Sequence, residues 1–306
     1  MEIGVLGAGT MGRGIAQVAA AAGHNVTIRD LEPELVEDGL AGIEATLQAG
    51  VDREKLTSEE QRETLDRIDG TTSLEDAVCR ADLVVEAVPE SLELKRETFA
   101  SVETHAPASA ILASNTSSLS LSAIANALDE PARAIGLHFF NPVHLMALVE
   151  IVVPEQASDD TVAFAETFVE ELGKTPITVS DSPGFASSRL GVALGAEAIR
   201  MLETGVASPR DIDRAMTAGY NHPMGPLELT DVVGLDVRLD ILEHLREELG
   251  ERFRPPALLR KKVRAGNLGT KSGEGFYVWE DGEIVGVSGE DGEVVGVSGN
   301  GGGTEP

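Results

Sequence analysis

Glu2-Ile3-Gly4-Val5-Leu6-Gly7-Ala8-Gly9-Thr10-Met11-Gly12, running on through Ile15 to Ala22, Gly23, Asn25 to Ile28 and Asp30, decides the fold. Glu2 to Leu6 is a short β-rich run, and the alanine-rich stretch after Gly12 reads as a helix capped at Gly23. Asn25 to Ile28 then reads as a second strand. The three glycines at the strand-to-helix turn answer three demands. Gly7 permits the tight turn, Gly9 lets backbone approach a pyrophosphate, and Gly12 lets the helix pack close to the strand. The pyrophosphate is expected on the first helical turn, at Thr10 and Met11, where free N–H groups and the dipole favour anions. Asp30 is expected to accept hydrogen bonds from a ribose, which favours NAD over NADP; Arg29 beside it leaves that preference slightly open.

Outward from this unit, short apolar runs alternate with helical patterns. Leu83 to Val88, Ile111 to Ala113, Ile135 to Phe140, Leu148 to Val153 and Pro176 to Val179 read as strands. Helices are expected at Glu90 to Val102, near Leu121, and at Asp159 to Leu172. The alternation predicts an α/β fold with a Rossmann-type doubly wound parallel sheet. Residues 33 to 66 predict a helical hairpin, broken at Gly50 to Asp52, inserted where it can cover a ligand. Composition changes at Ser180 to Phe185, and from Arg189 the pattern is helical. Leu235, Leu239, Leu242, Leu245 and Leu249 form a wide stripe, which predicts an all-helical C-terminal domain that buries part of its surface in a homodimer. The expected divisions are 1–182 for cofactor, 183–279 for substrate and dimerisation, and 280–306 as an acidic, Gly-rich tail. In that tail EDGEIVGVSG at 280–289 recurs as EDGEVVGVSG at 290–299, and no chemistry is expected of it.

The net charge of −28, from 52 Asp and Glu against 24 Lys and Arg, is spread over the helices. This predicts a surface adapted to high salt, since unscreened like charges repel. It excludes nucleic acid and anionic membranes as expected partners. The single cysteine, Cys79, forms no intrachain disulfide. No apolar run approaches the ~18 residues of a membrane span, and the chain begins in a strand, so a soluble cytoplasmic protein is expected.

Two ionisable residues stand in apolar strands: His138 in the first of a pair and Glu150 in the second. Each needs a partner when buried. A carboxylate on one imidazole nitrogen fixes the tautomer and leaves the other nitrogen free to take a proton. The plainer reading, a core histidine and a strand-end carboxylate, stays open at this point. Ser114-Asn115-Thr116-Ser117-Ser118 follows a strand at its carboxyl end, where open α/β sheets bind ligands. One of these hydroxyls is expected to cap the next helix. Lys95, one of six lysines, stands beside the same crevice; ion pairing with the nearby glutamates is the alternative. No metal is expected, because His138 and His144 lack further ligands at metal-site spacing.

These motifs, with Gly136-Leu137-His138-Phe139-Phe140-Asn141-Pro142, Val149-Glu150, Asp181-x-Pro183-Gly184-Phe185, Pro223-Met224-Gly225-Pro226 and Leu268-Gly269-x-Lys271-x-Gly273-x-Gly275-Phe276-Tyr277, resemble the L-3-hydroxyacyl-CoA dehydrogenases, including their short-chain 3-hydroxybutyryl-CoA members. The resemblance runs from residue 1 to about 279 and implies NAD and an acyl-CoA as ligands. By it His138 matches the catalytic base, Glu150 the carboxylate that orients it, and Ser117 a hydroxyl near the reacting oxygen. Ser117, Glu90, Lys95, Asn141 and Lys271 match cofactor or CoA contacts. One position departs from the pattern: Ser188 stands where the family has an Asn that helps hold the substrate oxygen. Rival readings are a dehydrogenase of a free hydroxy acid or sugar acid, and a cofactor-binding structural protein without catalysis.

Overall fold

The computed structural model describes residues 1–289 and the strand Val294–Gly296; the rest of the second repeat and the Gly-rich end lie outside the described residues. The chain divides into two compact units, residues 1–185 and Ala186 onward. Among the described residues no helix is long and apolar enough to cross a membrane.

The first unit opens with β1 (Glu2–Leu6), α1 (Thr10–Ala21) and β2 (Asn25–Arg29). It continues with α2 (Pro33–Asp52), α3 (Ser58–Leu65), β3 (Ile68–Thr71), α4 (Leu74–Val78) and β4 (Leu83–Glu86). Then follow α5 (Leu92–Glu103), β5 (Ile111–Ser114), α6 (Leu121–Ala125), β6 (Ala134–Phe139), β7 (Leu148–Val153), α7 (Asp159–Glu171) and β8 (Thr175–Ser180). The eight strands form one sheet in the order β3-β2-β1-β4-β5-β6-β7-β8. Every neighbouring pair is parallel except β6 and β7. Side chains alternate between its faces with the two-residue period of a strand. Ile3, Val5, Leu83, Val85 and Ala113 join α1 and α7 in one core, while Leu6, Val84 and Leu112 join α4, α5 and α6 in the other.

Three details differ from the sequence reading. The helical hairpin breaks later than Gly50, because α2 runs through to Asp52. A glycine inside a helix costs only about 1 kcal/mol; the true punctuation is Thr57, which caps α3 in a reciprocal box with Glu60. The edge strand β3 gave no sequence signal, since Ile68 is its one large apolar residue. The cap of α6 is Ser120, which accepts from the Ala123 amide, and not a member of the 114–118 run.

The second unit holds α8 (Ser187–Glu203), α9 (Pro209–Tyr220), α10 (Pro226–Val233), α11 (Leu235–Leu249) and α12 (Ala257–Arg264). An antiparallel sheet closes it: β9 (Tyr277–Glu280), β10 (Glu283–Ser288) and β11 (Val294–Gly296). The first repeat copy is therefore a strand of this unit, with Ile284 and Val287 packed on its core. The leucine stripe of α11 also lies within the unit: Leu235, Leu242 and Leu245 are buried, and Leu239 and Leu249 pack beside them. Exposed apolar side chains stand elsewhere, at Leu190, Tyr220, Leu229, Val232, Val233 and Val237. Two buried carboxylates tie the unit together. Asp213 accepts from the Leu227 and Glu228 amides and the Tyr277 hydroxyl. Asp231 accepts from the Phe276 and Tyr277 amides and the Trp279 indole. A Cβ on Gly225 would stand 2.2 Å from Asp213, and one on Gly275 2.2 Å from Asp231. The glycines of both C-terminal motifs are thus folding devices.

Candidate active site

His138 and Glu150 are directly opposed in the antiparallel β6–β7 ladder. Opposed residues put their side chains on one face within reach of each other. His138 Nδ1 lies 2.7 Å from Glu150 Oε2, with His138 6 % exposed and Glu150 fully buried. The plainer reading of a strand-end carboxylate facing water therefore does not hold. With Nδ1 directed at the carboxylate, Nε2 is the nitrogen available to exchange a proton. Phe140 and Phe185 flank the imidazole, with ring centroids at 4.4 and 5.7 Å.

His138 lines a cavity of about 340 Å³ together with Met11, Glu90, Lys95, Asn115, Ser117 and Asn141. Six expected site residues of the first unit so share one wall. The 114–118 loop is held around it by three anchors. Asn115 Oδ1 accepts from the Phe139 amide, tying the loop to the strand of His138. Glu90 accepts from the Thr116 hydroxyl, the Ser117 amide and the Ser118 hydroxyl. Ser114, fully buried, donates to Glu86 Oε2. Burial opposes ionisation of Glu90, but the Thr116 hydroxyl, the Lys95 ammonium and the loop donors outweigh it and hold its pKa below the usual range. Ser117 stays exposed, and its hydroxyl is 3.4 Å from Glu90.

Lys95 is an ion-pair residue. Its ammonium donates to Glu86 Oε1 at 2.6 Å and to the Val88 carbonyl at 3.2 Å, and lies 3.3 Å from Glu90 Oε2. Two of its protons meet protein acceptors, and the Glu90 carboxylate adds an ion pair. Glu86, 1 % exposed at the end of β4, escaped the sequence reading although it carries the signal that exposed Glu150: a carboxylate in an apolar run.

The glycine turn fits a dinucleotide. Gly7 has φ +104°, where only glycine is unstrained, and a Cβ on Gly12 would stand 1.7 Å from the Gly7 carbonyl. A Cβ on Gly9 would meet no atom within 4 Å, so the space over the helix start is left to something other than protein. Gly9 caps α1 without a side-chain hydrogen bond, leaving the Thr10 end of the helix dipole to an anion. Asp30 Oδ2 accepts from the Ala8 amide at 2.7 Å and Oδ1 from the Leu31 amide, so the carboxylate stands against the turn itself. Among the described residues no cluster of three metal-binding side chains occurs.

Ser188 and Lys271 belong to the second unit. Ser188 is in the first turn of α8, and Lys271 pairs with Asp236 Oδ2 at 2.5 Å.

Over about nine-tenths of its length the chain is similar to proteins of stated activity. Residues 2–182 match the model of the 3-hydroxyacyl-CoA dehydrogenase NAD binding domain, and residues 184–279 that of its C-terminal domain. A probable 3-hydroxybutyryl-CoA dehydrogenase of Deinococcus radiodurans is 47 % identical, over 90 % of this chain and 99 % of that one. Its Bacillus subtilis counterpart is 44 % identical, over 92 % and 98 %. The crystal structure of (S)-3-hydroxybutyryl-CoA dehydrogenase from Ralstonia eutropha superposes with a TM-score of 0.88 at 42 % identity, covering 92 % of this chain and 99 % of that one.

Proposed function

The chain belongs to the 3-hydroxyacyl-CoA dehydrogenase family, and on that premise we propose that it oxidises (S)-3-hydroxyacyl-CoA to 3-ketoacyl-CoA, reversibly and with NAD, through His138. The observation that carries this reading is the buried His138–Glu150 pair, opposed in one ladder at the wall of the cavity. Residues 1–182 serve the cofactor, 183–279 the substrate and dimerisation, and 280–306 carry no chemistry of their own.

Gly7, Gly9, Thr10, Met11 and Gly12 would hold the pyrophosphate, and Asp30 the adenosine ribose. NAD, when bound, supplies a hydride acceptor for carbon 3 of the substrate. His138 Nε2 takes the proton of the 3-hydroxyl, and Glu150 holds the Nδ1 proton and stabilises the imidazolium that results. In the reverse direction the imidazolium returns that proton. Ser117 and Asn141 offer preorganised hydrogen bonds to the developing alkoxide. Glu90 fixes the loop that presents Ser117, and Lys95 acts by holding Glu90. The family resemblance assigns Ser188 the substrate-oxygen contact and Lys271 a CoA or cofactor contact.

The relatives' stated substrate is 3-hydroxybutyryl-CoA, and we take a short acyl chain as the first substrate to test. The exposed apolar residues of α8, α10 and α11 support a homodimer formed through the second unit. A cytoplasmic enzyme fits a chain that uses NAD and acyl-CoA thioesters.

The test is NADH oxidation with acetoacetyl-CoA in molar KCl, run beside free acetoacetate. Turnover of the thioester alone is expected. Turnover of the free acid at a similar rate would move the reading to a hydroxy-acid dehydrogenase, and NADH binding without any turnover would leave a non-catalytic protein.

A further inference from the structure

Lys174, the residue before β8, directs its ammonium at two backbone carbonyls and at no carboxylate. It donates to the Val143 carbonyl at 2.6 Å and to the Met146 carbonyl at 2.7 Å. The chain is rich in Asp and Glu, yet among the described residues Lys174 makes no ion pair. Burial lowers its pKa with no carboxylate to oppose the effect. Taking a cation partly out of water is unfavourable, and here carbonyl dipoles alone compensate it.

Both carbonyls belong to the loop between β6 and β7. The Pro142 carbonyl accepts from the Leu145 and Met146 amides, each at 3.0 Å, which winds residues 142–146 into a single turn. Like the last turn of a helix, it leaves carbonyls without partners of its own, and a lysine is well suited to them. Thr175, next in the chain to Lys174, donates its amide to the Ala147 carbonyl at 2.7 Å. The lysine thus stands at the root of the β7–β8 pair, where Leu148 is opposed to Thr175.

The second hold on the loop is Val143, which is 2 % exposed and lies in the core with α1 and α7. A Cβ on Gly14 of α1 would stand 2.8 Å from the Val143 side chain, so the helix leaves that side chain its place. His144, Leu145, Met146 and Ala147 are exposed and bury little apolar surface. The loop therefore depends on Val143 at one point and on Lys174 at two.

Asn141 opens this loop and lines the cavity with His138 and Met11. Asn115 is fixed there by the Phe139 amide, and the Ser117 amide by Glu90. Among the described residues no hydrogen bond holds the Asn141 side chain. Its placement comes from the backbone of the loop alone.

We propose that Lys174 is a positioning residue: by holding the Val143 and Met146 carbonyls it fixes the loop that presents Asn141 to the reacting atoms. This rests on the reading above, in which Asn141 serves the reaction. Lys174 does not itself line the cavity.

The test is a double-mutant cycle on the full chain, assayed with acetoacetyl-CoA and NADH in molar KCl. Asn141→Ala is expected to lower kcat about 100-fold, as loss of one preorganised donor does. Lys174→Met keeps most of the side chain's length and removes its donors. It should lower kcat about tenfold and leave KM for acetoacetyl-CoA within about twofold, since the Asn141 donor is then misplaced and not lost. In the double variant the two losses should not multiply, and kcat should stay near that of Asn141→Ala, because no donor remains for the loop to place. Lys174→Arg, whose guanidinium can also donate to two carbonyls, should recover most of kcat. Urea denaturation of every variant follows stability separately, and the loss from Lys174→Met should be the same with either residue at 141.

A lysine that only stabilised the fold would lower kcat by the same factor in both backgrounds, to about 1,000-fold in the double variant. That result would overturn the proposal, as would an unchanged kcat in Lys174→Met. If the Met variant does not fold, Lys174→Gln takes its place in the cycle. Wild-type kcat in Asn141→Ala would sink the proposal and the role of Asn141 while leaving the activity reading in place. No turnover by wild type would sink that reading as well.

Discussion

Lys95 Nζ lies 2.6 Å from Glu86 Oε1, and both side chains are 1 % exposed. Glu86 also accepts from the Val88 amide and the Ser114 hydroxyl, so one carboxylate ties β4 to β5 and to α5 directly beneath the cavity. Removing one partner of a buried ion pair leaves the other uncompensated, at a cost of about 3–5 kcal/mol. Glu86→Gln should therefore lose stability of that order in urea denaturation at pH 7. It should also loosen Glu90, the other carboxylate near Lys95, and with it the Ser117 loop. A loss below about 1 kcal/mol would show that water reaches Lys95 and that the pair is not the anchor of the loop.

His138→Gln should abolish turnover and leave NADH affinity within about twofold. The amide fills much of the imidazole's space and can still meet Glu150, but it cannot exchange a proton. General acid–base catalysis contributes roughly 10²–10⁴-fold. Steady-state rates and NADH fluorescence titration measure the two sides. Activity above about a tenth of wild type would remove His138 from the role of base.

The sheet was legible from the glycine turn and from apolar runs alternating with helical patterns, and the His138–Glu150 pairing from residues out of keeping with their runs. His138 and Glu150 stand out because apolar strands do not tolerate unpaired charge. What could not be read was the antiparallel turn between β6 and β7, which makes the two residues direct opposites and not merely near neighbours. Glu86 carried the same signal inside the run Leu83 to Val88 and was passed over; the structure ends β4 at it. β3 was invisible because an edge strand with one large apolar residue has no pattern to read. The leucine stripe of α11 was read as an outward face; the strands of the tail hairpin, which help to close the unit, were not counted among its cover.

Glu103 should make stability depend on acid. Its carboxylate accepts from Arg133 Nη2 at 2.9 Å and from the Asp129 and Glu130 amides. Burial opposes its ionisation, but these donors outweigh it, so its pKa in the folded protein is lowered. A depressed carboxylate contributes stability that is present above its unfolded pKa, about 4.3, and is lost as pH falls through the folded value. Wild type should lose urea resistance between about pH 5 and pH 3, and Glu103→Gln should lose less over that interval. Parallel pH profiles for the two proteins would exclude Glu103 as a contributor.

Salt should stabilise the fold. The net charge of −28 acts over a Debye length of about 30 Å at 0.01 M salt and about 3 Å at 1 M. At low salt, repulsion among carboxylates reaches across a whole unit; at high salt it is confined to neighbours. Melting temperature should therefore rise with KCl between about 0.1 and 2 M. The tail is the competing source of this dependence, and the place to cut it is set by the fold. Residues 283–288 form β10 and pack on the second core, so a deletion must begin after Gly289. That deletion removes the edge strand β11 together with Glu290, Asp291, Glu293 and Glu305, four of the 52 carboxylates, and leaves β9, β10 and most of the charge excess in place. The truncated protein should keep its salt response. A melting temperature flat across the KCl range would reject the halophilic surface, and loss of the response on truncation alone would assign it to the tail.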